Sequence, residues 1–301
     1  MLLMSRRKQD ELINDLVEIT KKKSQWIDVW RRLRRNKLAM VGFVIVILLV
    51  FSTIFAGLLT PYSYSNQEFD LRLAFPSREH IFGADNLGRD LFTRLLYGGR
   101  VSLLVSLTAV CMSGTIGIFL GSCAGFFGGK VDLIITRLLD IMMAIPGLLL
   151  ATAISMALGG GPVNTALAIS ISGTPSTMRI MRSTTLSIKS NDFVEAATAT
   201  GSKRMRTLFK HVLPNAIAPL IVNLTLQIGG NIMAISGLSF IGLGVQPPTP
   251  EWGSILNAGR PYIRDFWPLI VFPAMFIMLT VFGFNLLGDG LRDSLDPRLR
   301  D

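Results

Sequence analysis

The sequence predicts an all-α integral membrane protein with six transmembrane helices, and three observations support this fold class. Half of the 301 residues are hydrophobic, only 17% are charged and the mean hydropathy is +0.48, which is typical of a chain surrounded by lipid. Six apolar stretches approach the roughly 20 residues that a helix needs to cross the hydrocarbon layer. Lys and Arg residues flank these stretches asymmetrically, which indicates an orientation.

The apolar stretches predict spans at residues 38–59, 101–127, 131–158, 163–181, 215–243 and 266–288. Arg137 and Asp140 interrupt the third span and could pair along its helix, and Pro175 and several serines dilute the fourth. Neighbouring helices can satisfy the backbone groups that such residues leave free. We therefore expect one six-span domain at residues 38–301, with an outer loop at 60–100 and a cytoplasmic loop at 189–214.

The basic residues place both termini in the cytoplasm. Of the 30 Lys and Arg residues, 23 fall in segments that this topology puts inside, and the other seven are balanced by seven outer Asp and Glu residues. The net charge of +10 therefore lies on the cytoplasmic side, as the positive-inside rule requires. Because these residues flank apolar spans and form no basic groove with interleaved aromatics, nucleic acid is not expected as a partner.

A basic cytoplasmic arm is predicted at residues 1–37. Its segment 24–35 interleaves arginines with apolar side chains, namely Trp26, Ile27, Trp30 and Leu33. This pattern favours an amphipathic helix that lies on the inner face of the membrane in contact with lipid. A solvated charged tail is the alternative. No cleavable signal peptide is expected, since the first apolar run begins only near Leu38.

The cytoplasmic loop reads KSNDFVEAATATGSKRMRTLFKHVLP. Asn191 and Asp192 can cap a short helix that begins near Phe193, and Gly201 can close it in the left-handed conformation. A second, basic helix at residues 202–211 would then lead to Pro214 in the first turn of the next span. The loop could be an ordinary connection, but the small residues in its first helix would permit close approach of a partner.

This loop resembles the EAA loop of ATP-binding cassette importer permeases. In that family Glu, two Ala and Gly are followed at a fixed distance by a hydrophobic residue, Leu and Pro. The matching residues are Glu195, Ala196, Ala197, Gly201, Leu213 and Pro214, and His211 stands where the wider family has Ile, as in the peptide and nickel branch. The resemblance implies that the loop couples to a separate ATPase, with Asn191, Asp192, Phe193, Arg204 and His211 as further coupling residues.

Two outer segments are similar to the same branch. FGADNLGRDLFTRLLYGGRVSL, at residues 82–103, resembles its outer signature, and we expect residues 88–97 to form a helix lying flat at the interface. LSFIGLGVQPPTPEWG, at 238–253, carries prolines that turn the chain out of the fifth span. The resemblance implies that an external binding protein faces these loops, with contact positions at Asp85, Arg89, Asp90, Pro248, Glu251 and Trp252.

A polar stripe on the fifth span is the candidate substrate path. Asn223, Gln227 and Asn231 recur every four residues and so share one helical face, which should point away from lipid. Ser172 and Ser176 on the fourth span are weaker candidates. Hydrogen bonding between helices is the alternative role for all five residues.

Reactive motifs are missing from the sequence. There is no GxxxxGK[ST] loop, no HExxH and no visible Ser-His-Asp set, and Cys111 and Cys123 share one apolar run without metal spacing. We therefore expect no enzyme activity, metal site or cofactor in this chain. As the resemblance implies, ATP and Mg²⁺ are bound by the partner ATPases.

Together these features indicate a type I importer permease of a bacterial inner membrane, most similar to the C-type subunit of the dipeptide and oligopeptide branch. The implied partners are a homologous B-type permease, two ATPase subunits and an extracytoplasmic solute-binding protein. Nickel complexes and glutathione are alternative substrates. An ion-coupled secondary transporter is a different class, which would predict charges in mid-span and inverted repeats; a membrane enzyme would need a reactive constellation.

Overall fold

Helices joined by loops make up the computed structural model, which describes residues 25–295. In this part of the chain the only β pairing is an isolated antiparallel bridge between Ala84 and Asp90. The helices are α1 (Gln25–Arg35), α2 (Lys37–Ile54), α3 (Leu91–Phe127), α4 (Gly129–Met143), α5 (Gly147–Leu158), α6 (Pro162–Lys189), α7 (Asp192–Ala199), α8 (Arg204–Phe240), α9 (Trp252–Gly259) and α10 (Pro268–Leu295). The all-helical prediction is confirmed.

Helices α3 and α6 form the central pair, and glycines let them approach closely. Gly117, Gly121 and Gly125 recur every four residues on α3 and all face α6. A Cβ atom at Gly121 would lie 2.5 Å from the carbonyl oxygen of Met178, and one at Gly125 would lie 2.8 Å from that of Arg182. Small residues of this kind build helix interfaces in membranes, where close packing replaces hydrophobic burial as the driving force.

Helix α8 packs against both members of this pair and against α10, which in turn packs against α2. The α2–α10 contact also depends on glycine, since a Cβ atom at Gly42 would lie 2.7 Å from the carbonyl oxygen of Gly283. Helix α1 packs on the end of α10, where its buried Leu33 lies beside Gly290. Helix α1 covers most of the segment predicted to be amphipathic, and its Ile27 and Trp30 side chains are exposed. Its contact with the membrane surface stays a prediction.

The third predicted span is broken, which corrects the expectation of one helix at residues 131–158. Helices α4 and α5 meet at an angle of 87° across a break of a few residues. Pro146 lies at the break and Gly147 begins α5. Proline has no backbone N–H and disfavours a helical conformation in the residue before it, so the bend forms there.

Four helices in the described part are long and apolar enough to cross a membrane: α2, α3, α8 and α10. The bent α4–α5 pair makes five if it is one span. Helix α6, which contains the fourth predicted span, is 28 residues long but is diluted by Ser, Thr and Arg, so composition alone does not mark it as a span. Its place against α3 explains how a helix with so many hydroxyl side chains is accommodated.

Two further predictions are corrected. Residues 91–97 do not form a separate helix lying flat at the interface, because they are the first turns of α3, capped by Asp90 through a 2.7 Å hydrogen bond from the backbone N–H of Thr93. The second helix of the cytoplasmic loop is likewise not separate, since it continues into the fifth span as α8. The loop predicted on the outer side therefore ends at residue 90, and the loop predicted on the cytoplasmic side narrows to residues 190–203.

Candidate coupling site

The short helix α7 stands on the side of the bundle where α6 ends and α8 begins. Its first residue is Asp192, and Asn191 precedes it in an extended conformation without a side-chain capping bond. Gly201 follows the helix with φ +82°. The N–H of Ser202 donates to the carbonyl of Ala197 at 3.1 Å, and that of Gly201 donates to Thr198 at 3.0 Å, which is the Schellman arrangement. The predicted left-handed end at Gly201 is confirmed.

One side chain fastens α7 to the bundle. Val194 is buried, and it packs against Phe126 of α3 and against Leu208 and Val212 of α8. The ammonium group of Lys189 donates a 2.8 Å hydrogen bond to the carbonyl of Phe126, and so satisfies a free carbonyl at the end of α3. Through Val194 the short helix is tied to the ends of α3 and α6 and to the start of α8.

The rest of α7 is exposed. Asp192, Phe193, Glu195 and Ala196 are exposed and Ala197 is half-buried. A groove of about 430 Å³ runs beside them, and its lining includes Glu195, Thr198, Ser202 and Arg204. The geometry therefore offers a rigid, mostly uncovered helix with a groove along its flank.

Two exposed apolar residues on the first turns of α8 extend this surface, and the sequence analysis missed them. Met205 is 53% exposed and Phe209 is 50% exposed, and Phe193 on α7 is 42% exposed. Their spacing of four residues places them on one face of α8. The spacing could have indicated a shared apolar face from the sequence. Only the fold shows that neither side chain is covered by the bundle.

The remaining predicted coupling residues lie where α8 enters the bundle. Residues Leu208–Val212 form a π-helical turn. It ends two residues before Pro214, which has no N–H to donate into the helix. His211 and Leu213 are half-buried and Pro214 is exposed. Asn215 donates a 2.6 Å hydrogen bond to the carbonyl of His211, so side chains compensate part of the altered backbone bonding.

Two ion pairs that were not predicted join α4 to α6. Arg182 donates to Asp132 from both Nε and Nη2, the latter at 2.6 Å, which is the bidentate geometry of a strong Arg–carboxylate pair. Asp140 lies 3.6 Å from Arg179. The expected pairing of Arg137 with Asp140 along one helix is therefore wrong, because Asp140 turns to the neighbouring helix.

One residue of the polar stripe on the fifth predicted span, Gln227, contacts α6. Asn223, Gln227 and Asn231 are all half-buried. The amide of Gln227 donates to Asn223 at 3.0 Å and to the hydroxyl of Thr177 on α6 at 2.8 Å. Ser172 bonds the backbone of its own helix, and Ser176 is exposed. Hydrogen bonding between helices accounts for Gln227, and a substrate path stays a prediction for this group.

Most of the predicted outer contact positions are buried. The carboxylate of Asp85 forms ion pairs with Arg89 at 2.7 Å and with Arg94 at 3.2 Å. An oxygen of Asp90 lies 2.9 Å from Nδ1 of His80. Glu251 and Trp252 are fully buried as well. These five side chains are occupied by contacts within the chain and are not at its surface in this structure, which corrects the expectation of direct contact. Pro248 is exposed, and its contact role stays a prediction.

Among the described residues no group of three His, Cys, Asp or Glu side chains is placed to hold a metal ion. Cys111 is exposed and Cys123 half-buried, so neither belongs to a site. The arrangement at α7 is suited to mechanical contact between proteins and carries no reactive constellation.

Comparison with known proteins identifies the family of this chain. Residues 117–301 match the family described as "Binding-protein-dependent transport system inner membrane component", and residues 24–76 match the N-terminal transmembrane domain of oligopeptide transport permease C. The chain is 44% identical to the dipeptide transport system permease protein DppC of Alkalihalophilus pseudofirmus, over 92% of this chain and 91% of the relative.

Two further relatives have similar sequence identities. The di/tripeptide transport system permease protein DppC of Pseudomonas aeruginosa is 43% identical, over 91% of this chain and 92% of the relative. The glutathione transport system permease protein GsiD of Escherichia coli is 42% identical, over 95% and 94%. These matches extend over nearly the whole chain.

A solved structure shares the fold. It is described as inward-facing conformations of the MetNI methionine ABC transporter, with a TM-score of 0.54 and 18% identity over 67% of this chain and 96% of that one. The exposed helix after α6, the helical bundle and the family matches lead to one conclusion. The chain belongs to the family of binding-protein-dependent transport system inner membrane components, and is a multi-pass permease subunit of an ATP-binding cassette importer, not an enzyme.

Proposed function

We propose that this chain is the C-type permease of a peptide importer and that α7 is its contact with an ATPase subunit. The observation that carries the proposal is a short exposed helix that packs on three bundle helices through Val194, beside the Lys189 hydrogen bond that joins α6 to α3. The proposed complex contains a homologous B-type permease, two ATPase subunits that bind ATP and Mg²⁺, and an external solute-binding protein. This chain itself holds no cofactor in the proposal.

The contacts around α7 support a lever mechanism. An ATPase that grips Glu195, Ala196 and the groove beside them would move α7 as a rigid body. Val194 passes the movement to the end of α3 and the start of α8. The Arg182–Asp132 pair carries it from α6 to α4. ATP-driven closure of the two ATPases would in this way alternate access to the path between the two permeases.

The exposed apolar residues provide a direct test of docking. Replacing Phe193 and Phe209 together by Ala should lower co-purification of the ATPase subunits at least tenfold, because apolar anchors supply most of the binding energy in protein contacts. The measurement is the ATPase-to-permease ratio after affinity purification from solubilised membranes. Phe119→Ala is the matched control, since Phe119 is 58% exposed on α3 far along the chain from α7. An unchanged ratio in the double variant would remove the docking assignment.

Peptides are the proposed substrate class. Two of the relatives above are named as di- or tripeptide permeases and the third as a glutathione permease, and glutathione is itself a small peptide derivative. We expect proteoliposomes holding the complete transporter and its own binding protein to accumulate a labelled dipeptide or oligopeptide on addition of ATP. Accumulation of glutathione alone would favour a glutathione importer. Accumulation of a nickel complex alone would contradict both the peptide and the glutathione assignments.

The proposed topology has six crossings with both termini in the cytoplasm, which adds α6 and the bent α4–α5 pair to the four clear spans. The side on which the basic residues cluster supports it. In the same proposal, the substrate path runs beside Asn223, Gln227 and Asn231. In intact cells a cysteine placed at Ser190 should resist a membrane-impermeant maleimide, and a cysteine at Ser65 should react. Reaction at Ser190 from outside would reverse the assignment.

A further inference from the structure

The first residues of α9 are wedged between α3 and α8 at the outer end of the bundle. The indole N–H of Trp252 donates a 2.9 Å hydrogen bond to the carbonyl of Leu95 on α3. A Cβ atom at Gly99 would lie 2.8 Å from the Trp252 ring, so α3 has room for the wedge only because that residue is glycine. Gly253 touches the backbone of Ser236 on α8 with the same close fit. The wedge therefore couples α3 to α8.

A carboxyl group lies at the centre of this wedge. Glu251 is fully buried. Its Oε1 accepts a hydrogen bond from the hydroxyl of Ser102 on α3 at 3.0 Å and lies 3.5 Å from that of Ser236 on α8, and its Oε2 accepts from the N–H of Ser254 at 2.9 Å. All of these partners are neutral. An isolated buried charge is costly without a cation beside it.

The charged groups on the surrounding helices are engaged elsewhere. On α3, Arg94 pairs with Asp85 and Arg100 donates to the carbonyl of Thr53. The charged residues of α8 lie in its first turns, those of α10 lie in its last turns, and Arg260 directly after α9 is exposed. In the part of the chain that the structure describes, Glu251 thus faces only Ser102, Ser236, Ser239 and the backbone of its own turn.

We propose that Glu251 is a proton-sensitive latch that keeps α9 wedged between α3 and α8 and so closes the outer side of the proposed path. When it is protonated, the neutral carboxyl holds α9 between α3 and α8. When it loses the proton, the charge is hydrated by movement of α9 away from α3, which opens the outer side. The inference rests on the proposed transport function, because only a transporter needs the wedge to open.

The electrostatics give the direction of the effect. Burial raises the pKa of the Glu251 carboxyl, and hydrogen bonds from Gly253, Ser239, Ser254 and Ser102 offset part of that increase. The closed state therefore binds the proton more tightly than a hydrated, open state does. By linkage, the closed state loses stability as the pH rises from the usual range of a glutamate up to the raised value, and it is fully stabilised below that window.

Distances between spin labels would test the latch in the assembled transporter in lipid nanodiscs. One label replaces Ser65, in the outer segment that Arg94 ties to α3 through the Tyr64 carbonyl, and the other replaces Arg260 at the end of α9. Cys111, Cys123 and the partners' exposed cysteines are replaced by Ser. We expect the population at the longer distance to rise with pH, and E251Q to keep the shorter distance throughout.

Two more variants make the test decisive. Ser102→Ala removes a donor to the ionised carboxylate, so its pH midpoint should move upward, whereas Glu79→Gln, at an exposed outer acid, should leave the profile unchanged. A pH-independent wild type, an E251Q profile like the wild type, or an unchanged midpoint in S102A would each overturn the latch. The readout needs neither substrate nor ATP hydrolysis, so failure of the peptide or coupling proposals would appear in other assays.

Discussion

Gly121→Leu is expected to remove most of the correctly folded subunit from the membrane. A Cβ atom at this position would lie 2.5 Å from the Met178 carbonyl oxygen and 2.7 Å from the Met181 Cβ, and helix backbone cannot move aside as a flexible side chain can. Overpacking of this kind costs about 3 kcal/mol or more when backbone is the obstacle. The measurement is the amount of chain in the membrane fraction, together with the thermal unfolding midpoint of the purified complex.

Gly173→Ala is the matched control for this substitution. Gly173 lies on α6, in the same interface, but a Cβ atom there would meet only Ser113, at 3.9 Å, which is an ordinary contact. We expect this variant to assemble with normal stability. Equal yields of the Leu and Ala variants would show that α3 and α6 do not pack as closely as described.

The sequence predicted those features whose cause is local. Gly201 follows a short helix, and a positive φ is the usual reason for glycine directly after a helix, so the C-terminal end of α7 could be predicted. The apolar stretches likewise predicted α2, α3, α8 and α10, because hydropathy over some 20 residues is a property of one segment.

Features that depend on a partner elsewhere in the chain were not predicted. Asp90 and Arg89 seemed to belong to the polar face of an interfacial helix, yet His80 and Asp85 bury them. Pro146 was a signal for the bend before Gly147. The span was predicted from hydropathy, however, and hydropathy does not show whether an apolar stretch is one straight helix or two bent ones. The four-residue spacing of Gly117, Gly121 and Gly125 was also visible, although nothing in it names α6 as the partner.

Gly201→Val is expected to separate ATP hydrolysis from transport. Gly201 has φ +82°, which costs an L-residue roughly 1–2 kcal/mol and a β-branched one more. A Cβ atom there would meet nothing within 4 Å, so the effect comes from the backbone alone. A valine would relieve the strain by opening the Schellman bonds and turning α7 relative to α8. We expect ATP-driven uptake to fall at least tenfold while ATPase activity of the complex persists, measured in the same proteoliposomes.

A graded series distinguishes this mechanism from general damage. Asn tolerates the left-handed conformation better than other residues that have a Cβ atom, so Gly201→Asn should retain most uptake, with Gly201→Ala between Asn and Val. Gly230→Ala, on α8 with no atom within 4 Å of the new Cβ and an ordinary helical φ, should transport normally. If Val, Ala and Asn at position 201 all supported wild-type uptake, the orientation of α7 would not matter for coupling, and the lever would have to lie elsewhere in the bundle.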